Sequence, residues 1–256
     1  MNTTLVDERN TIALDCDGVL LDYSTAYACA WERAFGVAPV LQNERAYWPM
    51  DRWGIPRLMG ENLERFRSVF DEEFWSTIPA VAGAIAACHL LKSRGIRLVC
   101  VTALDDQFAC ARLRNLNDLG FPIEQVITTG NDASIGSPKA AALAILKPVA
   151  FVDDFAPYMV GVDDSIHKAL IIRDPIGSPN IGKMLEHSHT QHDDLLGFAR
   201  WWIAQSDNAP DYEPDDGPLT QEQLAALKND VQTRFPRGKL LERKRLFNDD
   251  NSKPGS

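Results

Sequence analysis

Residues Thr11–Asp22 read T-I-A-L-D-C-D-G-V-L-L-D and carry the strongest pattern in the chain. The apolar run before the acids predicts a buried strand, and Gly18 allows the sharp turn that follows it. Asp15 and Asp17 flank Cys16, so their side chains share one face if this part of the chain is extended. Two carboxylates this close do not both ionise readily without a cation. The stretch therefore predicts a strand that ends in an acidic site, of the kind that holds phosphate beside Mg²⁺.

This stretch resembles the first motif of the haloacid dehalogenase (HAD) superfamily, in its aspartate-nucleophile phosphatase and phosphotransferase branch. The resemblance implies three later features in fixed order: a Thr or Ser that ends a second strand, a Lys at the start of a later helix, and an acidic pair that ends a fourth strand. Thr102, Lys139 and the pair Asp153 and Asp154 stand in that order. The match spans roughly residues 10–174, and four ordered motifs make it specific.

The resemblance implies a role for each catalytic candidate. Asp15 is the expected nucleophile, which takes the phosphoryl group as an aspartyl phosphate. Asp17 is the expected general acid and base, and the dehalogenase branch of the family lacks this second acid. Thr102 is expected to donate a hydrogen bond to a phosphoryl oxygen. Lys139, in the first turn of a helix, faces the positive end of the helix dipole at a cost of about 0.3–1 kcal/mol, which a phosphoryl group and the acids would offset.

The implied cofactor is Mg²⁺, which prefers a few carboxylate ligands and several waters. The expected protein ligands are the carboxylate of Asp15, the main-chain carbonyl of Asp17, and Asp153. Asp154 is adjacent to Asp153 and so points elsewhere in an extended strand. We expect Asp154 to act through water or to brace Lys139.

The order of predicted elements indicates an α/β fold of the Rossmann-like HAD type, a parallel sheet with helices on both faces and a small helical cap. After the first strand, further strands are predicted at 96–101, 123–128, 149–152 and 169–172. Helices are predicted near 24–35, 61–70, 80–94, 105–119, 137–147 and 195–204. Ligands of such sheets bind beyond the carboxyl ends of the strands, where Asp15, Thr102 and Asp153 stand.

Composition shifts divide the chain into three parts. Residues 1–22 and 79–205 are the expected HAD-like core domain, and residues 23–78, rich in aromatic residues and arginine, are the expected helical cap. Residues 206–256 are interpreted as an acidic, proline-containing linker followed by a helical, basic extension. Several cap side chains are either the core of that unit or contacts for a substrate ring, and two arginines are interpreted as solvated. They are Tyr47, Trp48, Trp53, Phe74 and Trp75, with Arg52 and Arg57.

The overall composition limits the partners. The formal charge of −10 over 256 residues argues against non-specific nucleic-acid binding, because the phosphate backbone would be repelled. No apolar run approaches the roughly 20 residues that span a bilayer, and the N-terminus lacks a signal pattern, so no membrane partner is expected. Five scattered cysteines favour buried, reduced thiols and a cytoplasmic location. The histidines at 187, 189 and 192 are interpreted as surface residues.

These patterns predict a Mg²⁺-dependent phosphatase that acts on a small phosphorylated metabolite. A phosphomutase or phosphotransferase of the same family would use the same residues. Two alternatives belong to another class of function. One is a non-catalytic phosphoacceptor, which would also combine Asp, Thr and Lys. The other is a scaffold protein that has kept only the fold. The sequence indicates neither the particular ester nor the oligomeric state.

Overall fold

The computed structural model of the protein describes residues 10–132 and 136–206. The proposed linker and basic extension therefore lie outside the described residues, apart from Ser206. Within those residues one sheet contains six strands, which are β1 Thr11–Leu14, β2 Arg97–Thr102, β3 Val126–Thr128, β4 Ala150–Asp153, β5 His167–Ile171 and β6 Thr190–His192. The helices are α1 Tyr23–Phe35, α2 Pro49–Arg52, α3 Gly60–Ser68, α4 Glu72–Ser76, α5 Ala84–Lys92, α6 Ala109–Asp118, α7 Ala140–Leu146 and α8 Leu195–Ser206.

The strands pair in parallel in the order β3-β2-β1-β4-β5-β6. The chain moves outward from β1 to β3, then returns across the sheet to β4. Because crossovers between parallel strands are right-handed, this reversal places α7 on the face opposite α5 and α6. The predicted parallel α/β fold is thus confirmed, and β1 lies at the point where the strand order reverses.

The central strands are apolar because both of their faces are covered. All four residues of β1 and all four of β4 are buried. Asp15 directly follows the last residue of β1, and its N–H donates to the Val152 carbonyl at 2.8 Å. This bond fixes the first acid of the motif against β4.

A short two-stranded neck joins the inserted segment 23–78 to the rest of the chain. The N–H of Asp22 donates to the Pro79 carbonyl at 2.8 Å, and the N–H of Val81 donates to the Leu20 carbonyl at 2.9 Å. These bonds explain why α5 starts at Ala84 and not at residue 80 as predicted. The residues that would form its first turn are paired with the incoming chain.

The described insert is helical, as the absence of strand alternation predicts. Asp22 caps α1, since its carboxylate accepts from the Thr25 N–H at 3.0 Å. Gly36 ends the helix in the left-handed conformation, with φ 74°. Phe66 and Phe74 are the buried side chains of α3 and α4.

The start of α6 and an edge strand also differ from the prediction. A 3₁₀ turn over Asp106–Phe108 precedes α6, because the Asp105 carboxylate accepts from a main-chain N–H inside that turn. Strand β6 was not predicted, since T-Q-H has no apolar alternation and lies at the sheet edge. None of the helices in the described ranges is long and apolar enough to cross a membrane.

Helix α8 packs against α5 and completes the core. Phe198 is fully buried there. We expect Phe198→Ala to lower the free energy of unfolding by about 3–5 kcal/mol, because a large aromatic side chain leaves a cavity. Urea denaturation measures the change. Arg200→Ala, an exposed position on the same helix, should change it by less than about 0.5 kcal/mol. A small loss at Phe198 would show that α8 contributes little to folding.

Candidate active site

The predicted site residues meet at the carboxyl ends of three neighbouring strands. Asp15 follows β1, Thr102 ends β2 and Asp153 ends β4. A cavity of about 250 Å³ opens beside them. Its lining combines acids, aromatic rings and one cation: Asp15, Asp17, Tyr23, Ser24, Tyr47, Trp48, Pro49, Thr102, Ala103, Asp154, Phe155, Tyr158 and Arg173.

Lys139 lies behind the acids and is fully buried. Its ammonium group donates to Asp15 and, at 2.7 Å, to an oxygen of Asp153. Burial favours the neutral amine, but the two carboxylates outweigh it and raise the pKa of Lys139. The residue is the N-cap of α7 and stands just before the helix, not inside its first turn as predicted, and its N–H donates to the Ser137 hydroxyl at 3.2 Å. The turn at Ser137 thus aims the cation at the strand ends.

Asp153 and Asp154 point to different partners, as expected for adjacent residues in a strand. Burial raises the pKa of the Asp153 carboxyl well above its ordinary value, against the opposing effect of Lys139. Burial also raises the pKa of Asp154, which is opposed by Arg173, whose Nε lies 2.6 Å from the carboxylate. Asp154 was expected either to act through water or to brace Lys139; in the described residues it pairs with Arg173, whereas the Lys139 ammonium group donates to Asp15 and Asp153. The Tyr47 hydroxyl also donates to Asp154, at 3.3 Å to the carboxylate.

Asp17 has a cationic partner that the sequence reasoning missed. Arg112, from α6, donates through one nitrogen to both carboxylate oxygens of Asp17, at 2.8 and 3.0 Å. Burial raises the pKa of the Asp17 carboxyl, Arg112 lowers it and Asp15 raises it. An arginine on the apolar face of α6, four residues before the buried Leu116, is the only local signal of this partner. Arg173 had a weaker signal, its position just beyond a strand end.

Gly18 is required where it stands. Its backbone angle φ is 98°, a value that residues with a side chain rarely adopt. A Cβ at this position would lie 2.4 Å from a carboxylate oxygen of Asp154 and 3.0 Å from the guanidinium carbon of Arg173. The missing side chain therefore lets the acidic pair and its arginine approach the first motif closely.

The donor set fits a hard divalent cation. Ligand oxygens of Asp15, Asp153 and Asp154 lie within 4.8 Å of one another, and all three residues are buried. With Asp17, four carboxylates face three cations. The acids of these ion pairs therefore outnumber the cations by one. Carboxylate oxygens are the ligands that Mg²⁺ prefers.

The side chains predicted in the insert separate into two groups. Tyr47 and Trp48 line the cavity, whereas Phe74 is buried in the core. Arg52 is not simply solvated, because it pairs with Asp174 and donates to the Ala46 carbonyl at 3.2 Å.

Two other interpretations need correction. Cys29 and Cys110 are exposed, although all five cysteines are free. His192 is not a simple surface residue, since its ring lies 5.4 Å from that of Phe198 and 5.3 Å from that of Trp201.

Comparison with protein-family models matches residues 10–157 to the hydrolase family described as haloacid dehalogenase-like hydrolase. The chain belongs to the HAD-like hydrolases. The matched region contains the first strand, Thr102, Lys139 and the acidic pair, so the resemblance drawn from the four motifs is confirmed. A comparison with curated protein sequences gave no match.

Solved structures share the fold of this HAD-like hydrolase. A HAD-like hydrolase from Streptococcus pneumoniae has a TM-score of 0.53 and 17% identity, over 76% of this chain and 99% of that one. A predicted phosphoglycolate phosphatase from Haemophilus somnus has a TM-score of 0.52 and 14% identity, over 76% and 98%. A HAD family hydrolase from Deinococcus radiodurans, with bound phosphate and sodium, has a TM-score of 0.50 and 12% identity, over 78% and 96%. At these identities the likeness establishes the fold alone.

The ion pairs of Lys139 give a pH-dependent prediction. In Lys139→Met the carboxylates of Asp15 and Asp153 lose their cation, so we expect the free energy of unfolding to fall by about 3–5 kcal/mol at pH 8. Burial raises the pKa of the Asp153 carboxyl and Lys139 opposes that rise, so such a carboxyl stabilises the fold at low pH and loses that contribution as pH rises. The deficit should therefore shrink toward pH 5.

Urea denaturation of metal-free protein at both pH values measures this difference. The exposed Lys92 on α5 provides the control, and Lys92→Met should change the free energy of unfolding by less than about 1 kcal/mol at either pH. A Lys139→Met deficit that is the same at pH 5 and pH 8 would contradict the assignment of buried, charged carboxylates around Lys139.

Proposed function

We propose that this HAD-like hydrolase is a Mg²⁺-dependent phosphatase that hydrolyses a small phosphate monoester through an aspartyl phosphate on Asp15. One observation carries the proposal: the carboxylates of Asp15 and Asp17 line the same cavity, and each has its own buried cation, Lys139 or Arg112. A nucleophile and a separate acid and base are what a two-step phosphoryl transfer requires.

The residues suited to hold Mg²⁺ are the carboxylates of Asp15 and Asp153 and the main-chain carbonyl of Asp17, with Asp154 nearby. When bound, Mg²⁺ supplies a Lewis acid that neutralises charge on the transferring phosphoryl group. When all four acids are ionised, their negative charge exceeds the positive charge of the three cations of the site by one. A dication would convert this excess to a net positive charge, which suits a phosphate ester.

The chain's own residues then divide the reaction. A carboxylate oxygen of Asp15 attacks phosphorus, the bond to the ester oxygen breaks, and Asp17 gives its proton to that oxygen. Asp17 next takes a proton from water, which attacks the aspartyl phosphate and frees Asp15 and inorganic phosphate. Lys139 holds Asp15 in place and stabilises the developing negative charge, and Thr102 donates to a phosphoryl oxygen.

The insert at 23–78 is proposed to act as a cap on a core domain formed by residues 1–22 and 79–205. Its support is the paired neck at Asp22 and Pro79, together with the contribution of Tyr47 and Trp48 to the cavity wall. Such a cap shields the reacting groups from bulk water. A cavity of about 250 Å³ favours a small phosphorylated metabolite.

We also propose a cytoplasmic location. All five cysteines are free, and free thiols persist in a reducing compartment.

The decisive measurement is phosphate release from a panel of phosphorylated metabolites. We expect release with Mg²⁺, loss of release with a chelator and recovery when Mg²⁺ is added back. Asp15→Asn should lower kcat by about 10⁴-fold or more, because it removes the nucleophile. Asp163→Asn provides the control, since Asp163 is exposed and lies outside the cavity. Undiminished release by Asp15→Asn would refute the proposed mechanism.

A further inference from the structure

Arg112 belongs to none of the four motifs, yet it is fully buried. One nitrogen of its guanidinium group contacts both carboxylate oxygens of Asp17. The side chain of Asp17 is 28% exposed and lines the cavity. Arg112 therefore contacts the carboxylate of Asp17, while part of the Asp17 side chain remains exposed to the cavity.

The rest of the guanidinium group is poorly satisfied. Within the ranges that the structure describes, Nε and Nη1 of Arg112 are buried and donate to no acceptor. A buried charge with unsatisfied donors lowers stability, and an apolar side chain of similar volume commonly packs as well or better. Folding alone does not account for an arginine at this position. Among the described residues, Arg112 forms its ion pair with Asp17.

The insert completes the surroundings of Arg112. The indole ring of Trp75, in α4, lies over the guanidinium group, with 5.1 Å between Cζ and the ring centroid. A cation over an aromatic face is attracted to it, and the ring also excludes water. Arg112 thus connects a helix of the insert to the second acid of the first motif.

We propose that Arg112 is a positioning residue that fixes the Asp17 carboxylate for proton transfer to the leaving oxygen of the ester. This inference rests on the proposed phosphatase function. Asp17 stands two residues from Asp15, so repulsion between their carboxylates favours rotation of Asp17 away from the cavity. The two-oxygen contact with Arg112 opposes that rotation. As the bond between phosphorus and the ester oxygen breaks, the proton of Asp17 passes to that oxygen, and Arg112 itself exchanges no proton.

Two esters with different leaving groups distinguish a positioning role of Arg112 from a purely structural one. An alkoxide needs a proton as it leaves, whereas p-nitrophenolate leaves without one. We expect Arg112→Met to lower kcat/KM for ethyl phosphate by about 100-fold, as misplacement of a catalytic group does, and to change kcat/KM for p-nitrophenyl phosphate by only a few-fold. Because kcat/KM reports the steps up to the first irreversible one, this comparison isolates transfer to Asp15.

Three comparisons accompany the test. Arg112→Lys keeps the charge and should retain part of the activity toward ethyl phosphate, which provides a second variant if Arg112→Met folds poorly. Arg114→Met is the matched control on the same helix, since Arg114 is half exposed and pairs with Glu72 at the surface. It should leave both rates unchanged. In an Asp17→Asn background, Arg112→Met should cause no further loss.

The outcomes separate the two proposals. A leaving-group-dependent loss that disappears in the Asp17→Asn background supports the positioning role of Arg112. An equal loss for both substrates, or a full further loss in that background, overturns it and leaves the phosphatase function standing. If the wild-type enzyme releases no phosphate from either ester or from the metabolite panel, the phosphatase function fails, and the role of Arg112 fails with it.

Discussion

The structure depends on one arrangement, a buried ammonium group between two buried carboxylates. Lys139 pairs with Asp15 and Asp153, and none of the three has appreciable access to solvent. Taking these charges out of water costs several kcal/mol per ion unless the geometry compensates. The parallel pairing of β1 with β4 provides that geometry, because it brings the two acids together at the carboxyl ends of neighbouring strands. The turn before α7 then delivers the lysine to them.

The other acids of the site are also paired with cations. Lys139 pairs with Asp15 and Asp153, Arg173 with Asp154, and Arg112 with Asp17. Each acid therefore has a fixed orientation before a substrate arrives, which is the condition for electrostatic stabilisation without reorganisation. The incomplete neutralisation of the acids leaves room for a divalent cation.

The insert affects the site in two ways that its composition does not distinguish. Tyr47 and Trp48 form part of the cavity wall, so they are placed to contact a ligand that enters it. Trp75 instead packs over the guanidinium group of Arg112 and is not among the residues that line the cavity. Phe74, the residue beside Trp75, only fills the core. Aromatic residues of the same segment thus have three different surroundings.

The sequence by itself determined the parallel α/β fold, the family and the order of the four motifs. These features are local: a strand ends where its apolar run meets an acid, and a helix begins near Ser137 and Pro138. Only the tertiary structure decided which charges meet. Arg112 lies within a helix, and Arg173 lies just beyond the end of a strand. In the chain, Arg112 is 95 residues from its partner Asp17, and Arg173 is 19 residues from its partner Asp154. The neck that delays α5 and the edge strand β6 likewise depend on pairing between distant segments. Periodicity and propensity describe neighbours along the chain, so contacts between distant segments leave only a weak signal in them, such as an arginine on the apolar face of a helix.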